Sequence, residues 1–291
     1  MIFCRFKPFD FINTSKLFLL PLLFPLISHS SEPDKLIGAR ASGLGSSAIA
    51  LPDSWSMFNN QAGLGWQRDY WAGVYHENRY FVKELNYSSL GGCIPVKPGT
   101  FGVAITHFGY SQYSQSRFGL SYGMMLSKTI AAGVGVNYHT VQLAGGYGSS
   151  NCLTAEGGII YQPLEKVAIG AYLFNPTHSS LGSNQNLTTF FGIGLAYRPS
   201  KYVLITLQGD DNTQSSPVFR TGLEYSPAKN LYFRAGMSSN PMSLAFGLGW
   251  KVKSIDFDLA FSYHEVLGYT PYLSVAYTFN SKTSKQDKPE K

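Results

Sequence analysis

Ile255-Asp256-Phe257-Asp258-Leu259-Ala260-Phe261-Ser262-Tyr263-His264 alternates without a break between large apolar and polar or small residues. Successive side chains of a strand point to opposite faces, so a period of two marks a strand with one apolar face, here Ile255, Phe257, Leu259, Phe261 and Tyr263. Ala132, Val134, Val136 and Tyr138 stand in the same way against Gly133, Gly135, Asn137 and His139. From Tyr70 to Phe279 the chain divides into about fourteen such segments, each rich in β-branched or aromatic residues and each closed by a turn signal.

A soluble β-sandwich also alternates, so the connections have to decide between the two. One set is short: Lys97-Pro98-Gly99, Ser127-Lys128-Thr129, Pro163-Leu164-Glu165, Pro199-Ser200-Lys201, Pro227-Ala228-Lys229 and Lys251-Val252-Lys253. The other tends to be longer and richer in Ser, Asn, Gly and Gln, as in Tyr110 to Ser116, Ala144 to Asn151, Pro176 to Asn186 and Asp210 to Ser216. Short turns at one end and longer loops at the other are the arrangement of an outer-membrane barrel, with the short side periplasmic. Aromatic residues recur beside the short turns at Tyr161, Tyr197, Tyr202, Tyr225, Tyr232 and Trp250, and at the other end at Phe108, Tyr138, Phe174, Phe190, Phe219, Tyr263 and Tyr272. Both sets suit rings seated at a lipid interface. The expected fold is therefore all-β: a transmembrane antiparallel barrel of about 14 strands over residues 70–280, with both termini in the periplasm of a Gram-negative cell.

Composition agrees. Aromatic residues make up 15% of the 291 and charged residues only 14%, while mean hydropathy stays close to zero. A barrel hides half of each strand from lipid and so averages to neutral. After the N-terminus no segment reaches the roughly 18 apolar residues a membrane helix needs. The formal charge of +6 is mostly peripheral: without residues 1–30 and the lysine-rich end the body carries about +2, and no basic stripe suggests a nucleic-acid partner.

Residues 1–30 read as a signal peptide, with Arg5, Lys7 and Lys16 before the apolar run Leu17 to Ile27 and small residues at Ser28-His29-Ser30. Tyr272 to Phe279 reads as the closing strand that the barrel-assembly machinery recognises, and residues 281–291 as a disordered periplasmic tail. Between signal and barrel, residues 31–69 are neither strand-like nor highly charged. Their stretch LIGARASGLGSSAIALPDSWSMFNNQAGLGW (Leu36 to Trp66) is rich in Gly, Ala and Ser, which suits close packing inside a lumen too wide for side chains alone to fill.

In this stretch Gly38-Ala39-Arg40-Ala41-Ser42-Gly43-Leu44-Gly45 and Asn60-Gln61-Ala62-Gly63-Leu64 resemble the paired N-terminal motifs of the FadL/TodX outer-membrane transport superfamily and its PorV/PorQ relatives. The resemblance implies a lumenal hatch, with Gly38, Arg40, Gly43, Gly45, Asn60, Gln61, Ala62 and Gly63 as its motif residues. It further implies binding or transport of hydrophobic small molecules past that hatch. For the PorV/PorQ branch it implies instead a non-transporting part of a type IX protein secretion or surface-attachment complex. Gln61 stands where the family has proline, and the chain is short for fourteen strands plus a plug, leaving little for long loops.

The polar faces collect Glu156, Asp210, Arg220, Glu224, Arg234, Asp256 and Asp258, which would line the lumen, with Glu224 and Arg234 diagonal across one hairpin. These charges either pair with one another to hold the plug or mark a permeation path. Histidines 76, 107, 139, 178 and 264 lack metal-ligand spacing, and no nucleophile, metal or phosphate motif occurs, so neither an enzyme, a metal nor a cofactor is expected. Cys93 and Cys152 fall at opposite ends of the barrel, too far apart for a disulfide. The expected partners are outer-membrane lipid, the assembly machinery, and a hydrophobic ligand or secretion-system proteins.

Overall fold

The computed structural model describes residues 36–145, 148–181, 187–213 and 215–279. The signal-peptide segment, the C-terminal tail and part of the Pro176 to Asn186 loop lie outside them.

Alternating sequence becomes a closed antiparallel barrel of fourteen strands. These are β1 (Tyr70–Asn78), β2 (Asn86–Pro95), β3 (Gly99–Gly109), β4 (Tyr113–Met125), β5 (Ile130–Leu143), β6 (Gly148–Leu164) and β7 (Val167–Phe174), then β8 (Phe190–Ser200), β9 (Val203–Asn212), β10 (Ser215–Ala228), β11 (Leu231–Ser238), β12 (Ser243–Val252), β13 (Ile255–His264) and β14 (Gly268–Phe279). Each pairs with its chain neighbours, and β1 closes on β14 from Tyr70↔Phe279 to Glu77↔Tyr272. Closure leaves no edge whose backbone would need lipid to accept hydrogen bonds. Among the described residues no helix is long and apolar enough to cross a membrane.

The faces fall as the alternation dictates. Val134, Leu153, Phe219 and Phe246 on the outside are all more than 60% exposed, an apolar belt that water would not tolerate and lipid would cover. Inside, Asn137, His139, Thr154, Glu156 and Ala260 are buried. Five of the expected interface aromatics turn inward instead: Phe174, Phe190 and Tyr272 are buried, Phe108 is half-buried, and Tyr232 shares its face with Arg234. Strand parity decides this, because each is an even number of residues from an inward neighbour.

The six short turns hold two to four residues, for instance 96–98, 126–129 and 253–254. The opposite side is shorter than its polar composition suggests. β4 starts at Tyr113, β6 at Gly148 and β10 at Ser215, and β9 runs to Asn212, so only 79–85 and 175–189 are sizeable connections. Ser, Asn and Gln ladders such as Ser114↔Gln142 and Gln142↔Ser149 carry pairing past the apolar belt. Backbone hydrogen bonds extend a strand wherever two chains stay in register, whatever the side chains.

The segment before β1 fills the lumen. It folds as α1 (Ala39–Gly43), α2 (Ser56–Asn59) and a 3-10 turn (Gln61–Trp66). Leu44, Ile49 and Leu64 are fully buried, each worth roughly 1.5–3 kcal/mol relative to exposure. The wall makes room where it meets the hatch backbone: a Cβ on Gly133 would collide with Gln61 and Ala62. Gly45, at φ +64°, packs against the β11 backbone at Met237 in a conformation that favours glycine.

Candidate functional site

The hatch is held at its centre by charge. Arg40, on α1, donates from Nε and Nη2 to both oxygens of Glu224, at 2.9 and 2.8 Å, and pairs with Asp53 at 3.2 Å. Glu224 also accepts from Arg234 Nε at 2.7 Å, and Arg234 Nη1 reaches Asp258 at 2.7 Å. A five-member network of alternating sign thus joins the plug to β10, β11 and β13. Glu224 and Arg234 stand directly opposite one another, not diagonally, a register that runs unbroken up to the irregularity between Tyr225 and Ala228. Arg234 crosses β12 to meet Asp258 only because residue 249 is glycine; a Cβ there would lie 2.6 Å from both side chains.

Burial alone would weaken proton binding by Arg40, but the facing Glu224 and then Asp53 reverse this and hold the guanidinium more firmly charged than in water. Burial raises Asp53, against the pull of Arg40 and the Trp55 amide.

The second motif works by hydrogen bonds. Asn60 Nδ2 donates to the carbonyls of Ile49 at 2.8 Å, Ala171 at 3.3 Å and Ile159 at 3.4 Å, while its Oδ1 accepts from Ala62 N–H at 3.2 Å and caps the 3-10 turn. One amide thereby ties hatch to hatch and hatch to wall. Gln61 is the first residue of that turn, a position that proline also suits because of its fixed φ, and its Nε2 donates to Met57 O at 3.4 Å. Gly38 precedes α1 with φ +114°, Gly43 packs on Gly247, Ala62 is fully buried and Gly63 abuts Ser56.

The other lumen charges are partnered in place. Glu156 accepts from Tyr172 Oη at 2.6 Å, Asp210 from Arg220 at 2.5 Å and Gln208 at 2.8 Å, and Asp256 pairs with Lys251 at 3.1 Å. Toward the loop-side mouth Arg79 pairs with Glu77. Asp53, Glu77, Tyr172 and the aromatic pack of Trp55, Trp71, Tyr75 and Tyr272 are further lumenal residues that the motif and the set of polar-face charges do not include. Trp55 meets Trp71 edge-on at 4.8 Å, and Tyr75 stacks on Tyr272 at 6.4 Å.

Cavities border the hatch toward both mouths. One of about 180 Å³ near the short-turn mouth is mixed, lined by Arg40, Glu224 and Asp256 and also by Trp55, Trp71 and Trp250. Another, about 40 Å³, is lined by Ser42, Ser46, Arg79, Arg220, Ser238 and Ser262 and their neighbours. Among the described residues no cluster of three His, Cys, Asp or Glu is placed to hold a metal, and Cys93 and Cys152 are free thiols.

No family model matches the sequence, and no curated protein matches it either. Solved structures do resemble it. The Pseudomonas putida toluene transporter TodX superposes with a TM-score of 0.68 at 11% identity, over 85% of this chain and 100% of the other. The barrel shares its fold with hydrocarbon transporters. The Ralstonia pickettii toluene transporter TbuX gives 0.65 at 13% identity over 85% and 99%, and a Pseudomonas aeruginosa FadL homologue 0.59 at 10% over 85% and 98%. These neighbours are transporters and channels in name, and at such identities the likeness is one of architecture.

Proposed function

We propose that this protein is a non-conducting outer-membrane barrel that serves as a structural component of an envelope assembly, the role implied by the PorV/PorQ side of its resemblance. The short turns and both termini face the periplasm in this reading. One observation carries it: the lumen is filled by a hatch bolted to the wall through Arg40–Glu224–Arg234–Asp258. Around that hatch the wall pairs strand to strand from β1 to β14, with register irregularities confined to β6/β7, β8/β9, β9/β10 and β10/β11. Moving the hatch means separating buried charges, which costs several kcal/mol before any passage opens.

Uptake of hydrophobic small molecules is the second reading, favoured by the fold shared with TodX and TbuX. The cavity toward the loop side is lined mostly by polar groups and offers such a molecule little, while the one near the short turns sets Trp55, Trp71 and Trp250 beside its charges. Expression in a Gram-negative host, followed by uptake of radiolabelled toluene and oleate, separates the two. A scaffold leaves uptake at the empty-vector level. A rise that depends on the chain would overturn the scaffold reading in favour of transport.

A further inference from the structure

The lipid-facing wall changes character at one seam. On β14 the outward residues from Phe279 and Tyr277 up through Val275, Leu273 and Pro271 to Tyr269 are apolar or aromatic. Ten residues of a strand tilted by some 40° give about 25 Å of height, a full hydrocarbon belt. On β1 the apolar run stops at Val74, and the residue facing Leu273 is His76. From there a polar row crosses the outside of the barrel along the ladder: His76 opposes Ser88, Ser88 opposes His107, His107 opposes Ser116 and Ser116 opposes Thr140. His76 Nδ1 lies 3.0 Å from Ser88 Oγ and His107 Nδ1 3.0 Å from Ser116 Oγ, with both histidines exposed.

Tyr269 lies four residues beyond Leu273, so the row starts about 10 Å below the top of the apolar face on β14. On β4 and β5 the pair two residues nearer the loops, Ser114↔Gln142, is already polar, so the row forms the loop-side edge of the apolar face there, at the level where lipid heads meet the wall. Beside the row, toward the short turns, the wall is concave: a groove of about 370 Å³ runs over Val74, Leu90, Ile105 and Val275, with His76 and His107 at its rim. An apolar trough capped by two imidazoles is shaped for an amphiphile lying head toward the loop side. If each Nδ1 accepts from its serine, Nε2–H is left as a donor to an incoming oxygen. The two rings stand two strands apart, about 10 Å, within the span of one lipid head.

We propose that this face is a docking site for one phosphate-bearing membrane lipid, its acyl chain in the groove and its phosphate and ester oxygens on His76 and His107. The site is independent of whether the barrel conducts.

Native mass spectrometry of the delipidated full-length protein in detergent, titrated with palmitoyl-oleoyl phosphatidylglycerol, tests it. The first lipid should bind at about tenfold lower concentration than the second. Palmitoyl-oleoyl glycerol, with the chains and no phosphate, and glycerol phosphate, with the head and no chains, should lack that step. His76→Leu/His107→Leu should abolish it, as should Leu90→Trp, which fills the groove and leaves the histidines intact; heat-modifiable migration verifies that both variants are folded. Equal, unsaturating uptake by wild type and variants would overturn the proposal. So would a strong first step for palmitoyl-oleoyl glycerol or glycerol phosphate, or a wild-type dimer that excludes lipid from this face.

Discussion

Arg40→Ala removes the one side chain that ties α1 to the wall by charge. Arg40 and Glu224 keep 22% and 9% of their side-chain surface exposed, and the variant loses two hydrogen bonds to Glu224 and the pair with Asp53. Breaking a buried pair by deleting one partner typically costs about 3–5 kcal/mol, because the other charge is stranded. Here Glu224 keeps Arg234 at 2.7 Å and Asp53 keeps the Trp55 amide at 3.0 Å, so neither carboxylate is left bare. The expected loss is therefore lower, about 2–3 kcal/mol. With a urea dependence of about 1–3 kcal/mol per molar, the unfolding midpoint in detergent, followed by tryptophan fluorescence, should fall by about 1 M. Combining Arg40→Ala with Glu224→Gln should cost less than the sum of the two, by about 1 kcal/mol or more, since the residues share a contact. An unchanged midpoint, or strict additivity, would refute the view that this network bolts the hatch.

Asn60→Ala should destabilise by about 1–3 kcal/mol and make the hatch more sensitive to protease, since it strands the carbonyls of Ile49 and Ala171 in a buried setting. Gly133→Val should abolish heat-modifiable folding or cost more than about 3 kcal/mol, whereas Gly157→Ala, whose Cβ would meet nothing nearer than 3.4 Å, should stay within about 0.5 kcal/mol of wild type. Phe246→Lys, on the exposed outer face in the middle of β12, should reduce folding into lipid vesicles by about 2–4 kcal/mol while leaving lumen contacts intact.

Alternation made most of the barrel legible. Ile255 to Tyr263 and Ala132 to Tyr138 face outward as their period requires, and the first and last strands begin at Tyr70 and end at Phe279 where the turn signals place them. Loop lengths were less legible, because Ser114, Gln142 and Ser149 read as loop by composition yet pair as strand. Aromatic rings at Phe174, Phe190 and Tyr272 read as interface residues by type, while parity turns them into the lumen. Within the site, the motif marks Arg40 and Asn60, and polar-face residues mark Glu224, Arg234 and Asp258. That these meet depends on register: the Glu224↔Arg234 pairing, and a glycine at 249 that opens a gap across β12. Asp53 lies in an irregular segment with no period from which its direction could be inferred.

Conductance in planar lipid bilayers reports whether the hatch closes the lumen. The wild-type barrel should pass no measurable ionic current, and a variant lacking Leu36 to Trp66, if heat-modifiable migration shows it folded, should open a steady pore. Stable current through the wild type, equal to that of the hatchless variant, would contradict the claim that the bolted hatch closes this barrel.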